Sequence, residues 1–466
     1  MNLEHTVMDN KKKISIQPER MVVYLQSKII ESTDQEGYMY YLFFYKDHYI
    51  TAVKTNKVRR RSYVEKANKR GIVFSASHPF CQKLLSNHSS FIKRSFNQVR
   101  AKLEKQYPPH ETASILTFFD AFIPKKEIFT IIQSYFYQYR RNGQLFAGYR
   151  LLRVLLDFTP KHRWVRQTAN ELQYARYKEL YQEKHNDLWE KDINYVEKAL
   201  FQQRQKSSKA ADQLLTLFDH DNRFLDACIL MIQQFLLKPS QYSYERIMER
   251  IKTHFSSEDM LIIVEDMYQR LPSFEPLQYT LLHHYLLQQN LDKTIPLLNE
   301  HSLQLTNTQW MDLENMLEKM NIQHDNMSIE HLNTYIAALF QTDPKKAETI
   351  LHKCVTQLLT VKKLADVSDW LRPIQSAYAN SPVIKRIENM LQWSEDPDQQ
   401  RKLGELYYQF QQIDQAIECF SWEMEMDTQD PLPVRWLSKL YLEAGKQEES
   451  KAYQKLYQEM QKQKNA

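Results

Sequence analysis

Three short arrays in this 466-residue sequence carry the residue types of catalysis or metal binding. His78 and Cys81 supply one pair of potential zinc ligands, but a closed structural site needs four, and no second pair stands nearby. Asp219-His220-Asp221 has the composition of an acid–base cluster. Asn222 follows it and apolar stretches flank it, so the pattern predicts a polar turn between two helices. His283 and His284 are adjacent and, on a helix, point to different sides, so they cannot share a metal from one face. The glycine-rich loops that cradle phosphates or expose a nucleophile do not occur, and six glycines in the chain leave little material for them. These readings point away from an enzyme and predict neither a metal nor a cofactor.

A different chemistry is written into residues 57–94. Lys57, Arg59, Arg60, Arg61, Lys66, Lys69, Arg70, Lys93 and Arg94 crowd together with Tyr63, Phe74 and Phe91. Cation clusters of this kind bind phosphate backbones, with strong salt dependence. The net charge is only +5, yet residues 51–170 carry 23 basic and 6 acidic side chains, whereas residues 171–466 carry 33 and 44. Such a block attracts nucleic acid or an anionic membrane face, docks on the acidic remainder of its own chain, or simply keeps the protein soluble. The second reading is a nucleic-acid-linked regulator that holds nucleic acid through this basic region, with Arg59, Arg60, Arg61, Lys69 and Arg70 as candidate contacts, and senses a partner through the rest of the chain.

The elements that position these residues are helical almost throughout. Glycine at six positions lies far below average usage, and hairpins and left-handed turns ordinarily consume it. Hydrophobic residues at 42% and charged residues at 26% give the balance of a folded chain with a sizeable core. Cys81, Cys228, Cys354 and Cys419 stand at least 65 positions apart, without the pairing of a disulfide framework. A reducing compartment is expected. The first thirteen residues lack a signal-type apolar core, and no run approaches the ~18 apolar residues of a membrane span. The expectation is a cytoplasmic protein without a membrane helix.

Residues 1–110 read as a basic region whose apolar stretches form either a small α/β element or buried helices, since periodicity does not arbitrate for runs this short. Met21 to Ile30 and Tyr38 to Val53 are rich in β-branched and aromatic residues and are separated by the turn formers Ser32 to Gly37. Tyr107-Pro108-Pro109 breaks any helix and marks a boundary. From Glu111 onward apolar positions recur every three or four residues. Asp343-Pro344, Asp396-Pro397 and Asp430-Pro431 each combine a capping carboxylate with a proline whose missing N–H costs nothing in a first turn, so each predicts a helix start.

The second and third of these pairs lie 34 residues apart, and so do their surroundings. Leu403, Gly404 and Tyr407 are followed by Ala416 and Phe420; one period later come Leu437, Ser438 and Tyr441, then Gly445 and Ser450. This pattern resembles the tetratricopeptide repeat family in its bacterial form, with two tandem repeats over 397–464. A weaker copy aligns Gly143 with the turn glycine and Gly148 with the small position of a second helix over 129–162. Leu291 to Leu298 parallels Ile413 to Phe420, with Pro296 expected to bend that helix or delay its start. The expected fold is an all-α helical-repeat solenoid, divided as 1–110, 111–205 of repeat-like helices, 206–396 of degenerate repeats, and 397–464.

The resemblance implies a non-catalytic scaffold whose groove accepts a protein or peptide. Carried onto this sequence, the groove positions are Asp398, Arg401, Glu405 and Tyr408, then Leu432, Arg435, Lys439 and Leu442. Glu405 stands where the family's carboxylate clamps carry asparagine, which argues against recognition of a C-terminal carboxylate. The small, aliphatic and aromatic residues Leu403, Gly404, Tyr407, Ala416, Phe420, Leu437, Tyr441 and Gly445 are assigned to packing between repeat helices.

Overall fold

Strand-forming residues before position 93 pair into one seven-stranded sheet in the computed structural model, which describes residues 5–10, 12–182, 187–301, 303–318 and 326–464. The strands are β1 (His5–Asp9), β2 (Lys12–Tyr24), β3 (Ser27–Asp34), β4 (Met39–Tyr45), β5 (His48–Lys54), β6 (Ile72–Ser75) and β7 (Phe91–Ile92). Neighbours from β1 to β5 are antiparallel, β6 extends the β2 edge beyond β1, and β7 runs parallel to β1. The two stretches read from sequence as single strands are each a hairpin. Leu25 and Lys46, with φ of 52° and 54°, turn the chain inside them without glycine or asparagine. Between the hairpins, Gly37 at φ 82° turns the chain while the Asp34 carboxylate accepts the N–H groups of Glu36 and Tyr38.

Every residue from Tyr40 to Tyr45 is buried, because the sheet is covered on both faces. Phe43 meets Phe119 at 4.9 Å on one face, while Phe44 packs on Phe91 at 6.1 Å on the other. The Tyr49 hydroxyl donates to Ile92 O at 3.0 Å and Arg94 N–H donates to the Thr51 hydroxyl at 2.9 Å, so the segment around β7 bridges β1 to β5 and curls the sheet. Helix α1 (Tyr63–Arg70) starts at the Ser62 cap and buries Tyr63, Val64 and Ala67. It ends at Gly71, where a Cβ would lie 2.5 Å from Ala67 O and 2.9 Å from Val23 O; helix and sheet approach too closely for any side chain.

In chain order the first unit, residues 1–274, continues with α2 (Pro79–Ser86), α3 (Phe96–Gln106), α4 (Pro109–Leu116), α5 (Lys125–Arg141) and α6 (Leu145–Phe158). Then follow α7 (Arg163–Ala169), α8 (Ala175–Gln182), α9 (Asp187–Lys191), α10 (Ile193–Gln203), α11 (Ser208–His220), α12 (Phe224–Leu237), α13 (Gln241–Lys252) and α14 (Ser257–Arg270). Helices α5 and α6 form a pair turned by Gly143 at φ 70°, with Gly148 beneath the Phe136 ring. One apolar core joins Val22 and Phe43 of the sheet to Leu152 of α6 and Leu230 of α12.

A buried ionic network also links sheet and helices. Lys28 on β3 is 1% exposed, and Glu197, Arg223 and Asp226 are 2%, 4% and 4% exposed. Lys28 Nζ donates to Asp226 and Asp47 carboxylates, each at 2.8 Å. Arg223 donates to Asp226 at 2.9 Å and to Glu197 at 2.6 Å, and Gln26 Nε2 donates to the second Glu197 oxygen at 2.7 Å. Burial alone would lift the Asp226 carboxyl, but Arg223 and Lys28 outweigh it and hold the group below its ordinary value.

The second unit, residues 275–466, holds α15 (Glu275–Leu287), α16 (Leu291–Glu300), α17 (Asn307–Glu318), α18 (Asn326–Thr342), α19 (Pro344–Leu359), α20 (Leu364–Ala377) and α21 (Pro382–Trp393). It closes with α22 (Gln400–Gln409), α23 (Ile413–Met426), α24 (Pro431–Glu443) and α25 (Gln447–Lys464). The Asp-Pro pairs act as caps: Asp343 accepts from Lys346 N–H at 3.2 Å, Asp396 from Asp398 N–H and Asp430 from Leu432 N–H at 3.0 Å each. Helix α16 begins at Leu291 under an Asn290 cap and runs through Pro296, so its start is not delayed. The architecture is a helical-repeat solenoid with a β-containing N-terminal region. No helix among the described residues is long and apolar enough to cross a membrane.

Candidate functional site

The close approach of α22 and α23 is built on Gly404 and Ala416. A Cβ on Gly404 would lie 2.9 Å from the Phe420 ring and 3.1 Å from Cys419 Cβ; Ala416 and Phe420 are wholly buried. Leu403 is buried and Tyr407 is half-buried beside them. One period later Ser438 and Ser450 keep the approach with a reciprocal clasp: the Ser438 hydroxyl donates to Ser450 O at 3.1 Å and the Ser450 hydroxyl to Ser438 O at 2.7 Å. Leu437 is fully buried and Tyr441 stacks on Tyr453 with centroids 5.3 Å apart. Gly445 at φ 77° makes the turn into α25, a position that Gln411 at φ 58° fills in the preceding pair.

The positions expected to line a groove divide into those with partners inside the repeats and those without one among the described residues. Arg401 donates to Glu423 at 3.0 Å and pairs with Asp430, the cap of α24, so its charge is matched inside the repeats. Glu405 is half-buried. The Tyr408 hydroxyl donates to Glu443 at 2.9 Å, and its ring meets Trp436 at 5.2 Å. Lys439 places its ammonium 4.3 Å from the Tyr408 ring centre and 5.0 Å from that of Trp436. Arg435, one period after Arg401, is exposed and makes no ion pair among the described residues. The reason is legible in the register: where Arg401 has Glu423 and Asp430, Arg435 has Tyr457 and Lys464.

Arg435, Lys439 and Leu442 of α24, with Lys451, Gln454 and Tyr457 of α25, line a cleft of about 540 Å³. No acidic side chain lines it, and Leu442 and Leu432 are 60% and 44% exposed. In the pair before it, α24 occupies the equivalent seat, with Trp436 stacked on Phe420 at 5.1 Å. The face that α24 covers on α22 and α23 is thus repeated on α24 and α25, with three cations and fewer apolar groups.

In the first unit, Arg59, Arg60 and Arg61 occupy the loop before α1, and Lys66, Lys69 and Arg70 its outer face; all six are exposed. Lys69 pairs with Glu65 at 2.7 Å, and the Glu65 carboxylate also accepts the Arg61 N–H.

Two of the three arrays that could have carried chemistry serve structure. His78 caps α2, accepting the Phe80 N–H at 3.2 Å, with its ring 4.6 Å from both Phe74 and Phe80. Burial pushes its pKa down to about 3 and lifts the Cys81 thiol to about 12. Asp219 pairs with Arg250, and Asp221 faces Lys46 at 3.6 Å, at the turn between α11 and α12. Among the described residues no three His, Cys, Asp or Glu gather to hold a metal.

The neutral His78 makes stability depend on acidity. Its folded pKa lies below its unfolded 6.5, so the contribution is complete above that pH and is lost as pH falls toward 3. His78→Asn keeps a capping acceptor and cannot titrate. Wild-type stability is expected to fall by up to about 1.4 kcal/mol more per pH unit than the variant's between about pH 6 and 4. Urea titrations across that range check this; parallel losses would contradict a neutral His78.

No protein-family model matches the chain, and no curated protein matches it. Solved structures do match, among them one described as the structure of Naa15/Naa10 bound to HypK-THB, at 11% identity and a TM-score of 0.19. That match covers 78% of this chain and 60% of the other, so this chain spans less than two thirds of that one. That superposition is too loose to assign a fold, and the repeat is seen in the helix pairs themselves.

Proposed function

We propose that the chain is a non-catalytic scaffold that holds an acidic segment of a partner protein in the cleft between α24 and α25. The observation that carries this reading is Arg435: it repeats the place of Arg401 but has lost both acids that Arg401 pairs with, so an incoming carboxylate can stand where Asp430 stands one repeat earlier. Lys439 and Lys451 add charge, and exposed Leu442 offers an apolar contact beside them. The cap made by His78, the burial of Cys81 and the ion pair of Asp219 support a non-catalytic role.

Titration calorimetry with synthetic peptides that combine glutamates with one leucine tests the reading. Micromolar binding is expected, weakened tenfold or more by Arg435→Glu with Lys439→Glu, because like charges now face each other across the cleft. Equal binding of wild type and variant, or no preference over lysine-containing peptides, would refute it.

A further inference from the structure

The cation cluster around α1 is the largest charged feature that the scaffold reading leaves unused. Residues 57–70 hold seven cations, Lys57, Arg59, Arg60, Arg61, Lys66, Lys69 and Arg70, against one acid, Glu65. Each of the seven is exposed. The single acid is already engaged by Lys69 and by the Arg61 amide. Arg59, Arg60 and Lys66 make no ion pair among the described residues. Keeping so many like charges together costs self-repulsion, which the Glu65 carboxylate beside Lys69 and Arg60, and Asp120 near Lys66, offset only in part.

The cluster is also held in place. Tyr63 anchors α1 from below: its hydroxyl bonds the Ser27 hydroxyl at 2.8 Å, its N–H donates to Asp120 at 2.7 Å, and its ring stacks on Phe118 at 4.5 Å. Gly71 fixes the other end against β2, since even a methyl group would collide with backbone on both sides. Arg61 takes a left-handed φ of 57° and is tied through its amide to Glu65. Cations on such a support lose little freedom when they meet a ligand.

We propose that the outer face of α1 and the loop before it form a docking surface for the phosphate backbone of duplex nucleic acid. Four of the seven cations are arginines, whose planar forks match phosphate oxygens in pairs. The aromatic and apolar residues of α1, Tyr63, Val64 and Ala67, are all buried. That leaves no ring of α1 to stack an unpaired base, and Val58, the apolar residue of the loop, packs half-buried against the core and does not form a surface that could enter a lipid layer. A surface of charge alone fits the regular, high charge density of a duplex and reads no sequence.

Fluorescence anisotropy of the full chain with a labelled random-sequence duplex DNA, across about 50 to 300 mM salt, is the test. The expected result is micromolar affinity at low salt, a log–log salt slope of about −3 to −5, and no preference between unrelated duplexes. Arg59→Glu, Arg60→Glu and Lys66→Glu together are expected to weaken binding at least tenfold and flatten the slope. These residues are exposed, so an unchanged circular dichroism spectrum and unchanged acidic-peptide binding should accompany the loss. No binding at about 50 mM salt, where phosphate contacts are strong, would overturn the proposal. So would unaltered binding by the triple variant, tighter binding to single strands, or tighter binding to vesicles of phosphatidylcholine and phosphatidylserine in equal parts.

Discussion

Replacing Arg223 with methionine is expected to cost about 3–5 kcal/mol of stability, because it strips a buried ionic network of one partner and leaves the others in place. Glu197 then keeps only the Gln26 amide, and Asp226 keeps only Lys28. The apolar replacement fills most of the volume beneath the guanidinium, which lies 4.5 Å from the Phe218 ring centre, so the loss is electrostatic rather than a cavity. A second variant separates these terms. Adding Glu197→Gln to Arg223→Met removes the orphaned charge while leaving an amide for Gln26, and should recover at least 1 kcal/mol, roughly the value of one relieved buried group. Urea unfolding with hydrogen exchange as the readout checks both, and protection should fall in β3, α10 and α12 together. A deficit under about 1 kcal/mol, typical of exposed pairs, would mean that the network is solvated.

The second large effect belongs to Phe420→Ala. This ring is wholly buried, lies against the backbone at Gly404, and stacks on Trp436 nearly parallel at 8°. Truncation opens a cavity between α22, α23 and α24 that Gly404 cannot collapse to fill, and costs about 3–5 kcal/mol. Because α24 loses its seat, acidic-peptide binding should fall with stability. Gly404→Ala acts on the same contact from the other side and should cost less, about 1–3 kcal/mol, since the Phe420 ring can shift by a few tenths of an ångström. Exchange protection in residues 397–464 reports the outcome, and an unchanged profile in Phe420→Ala would break the packing account.

The helix pairs were legible because their chemistry repeats at fixed spacing. Gly404 and Ala416 are small where two backbones meet, Phe420 is large where a hollow remains, and each Asp-Pro pair announces a first turn. The hairpins were not legible as pairs of strands. Leu25-Gln26 carries none of the residues that tolerate left-handed backbone, and in Lys46-Asp47 the left-handed position falls on the lysine and not on the aspartate, so little local marks the turns. The ionic network escaped for a different reason. Lys28, Glu197 and Arg223 are far apart in sequence, and isolated charges ordinarily read as surface. Two signals were present: Lys28 stands directly before Ile29 and Ile30 in a strand, and Asp226 interrupts the apolar opening of α12.

The cleft itself lay between these extremes. Arg435, Lys439 and Leu442 could be placed on one helix face from the register alone, as could Arg401 and Tyr408. That Arg401 is consumed by Glu423 and Asp430 whereas Arg435 makes no ion pair among the described residues required the geometry. The difference is visible in the sequence only after the pairings of the first repeat are known, because it consists of acids that the second repeat lacks.

Photo-crosslinking from a bound acidic peptide tests the central claim most directly. A benzophenone next to the peptide's leucine, irradiated on the full chain and mapped by mass spectrometry, should label residues between Arg435 and Tyr457, and the labelling should vanish with Arg435→Glu and Lys439→Glu. Labelling that centres on any other part of the chain, or that survives the charge reversal, would contradict a partner site between α24 and α25.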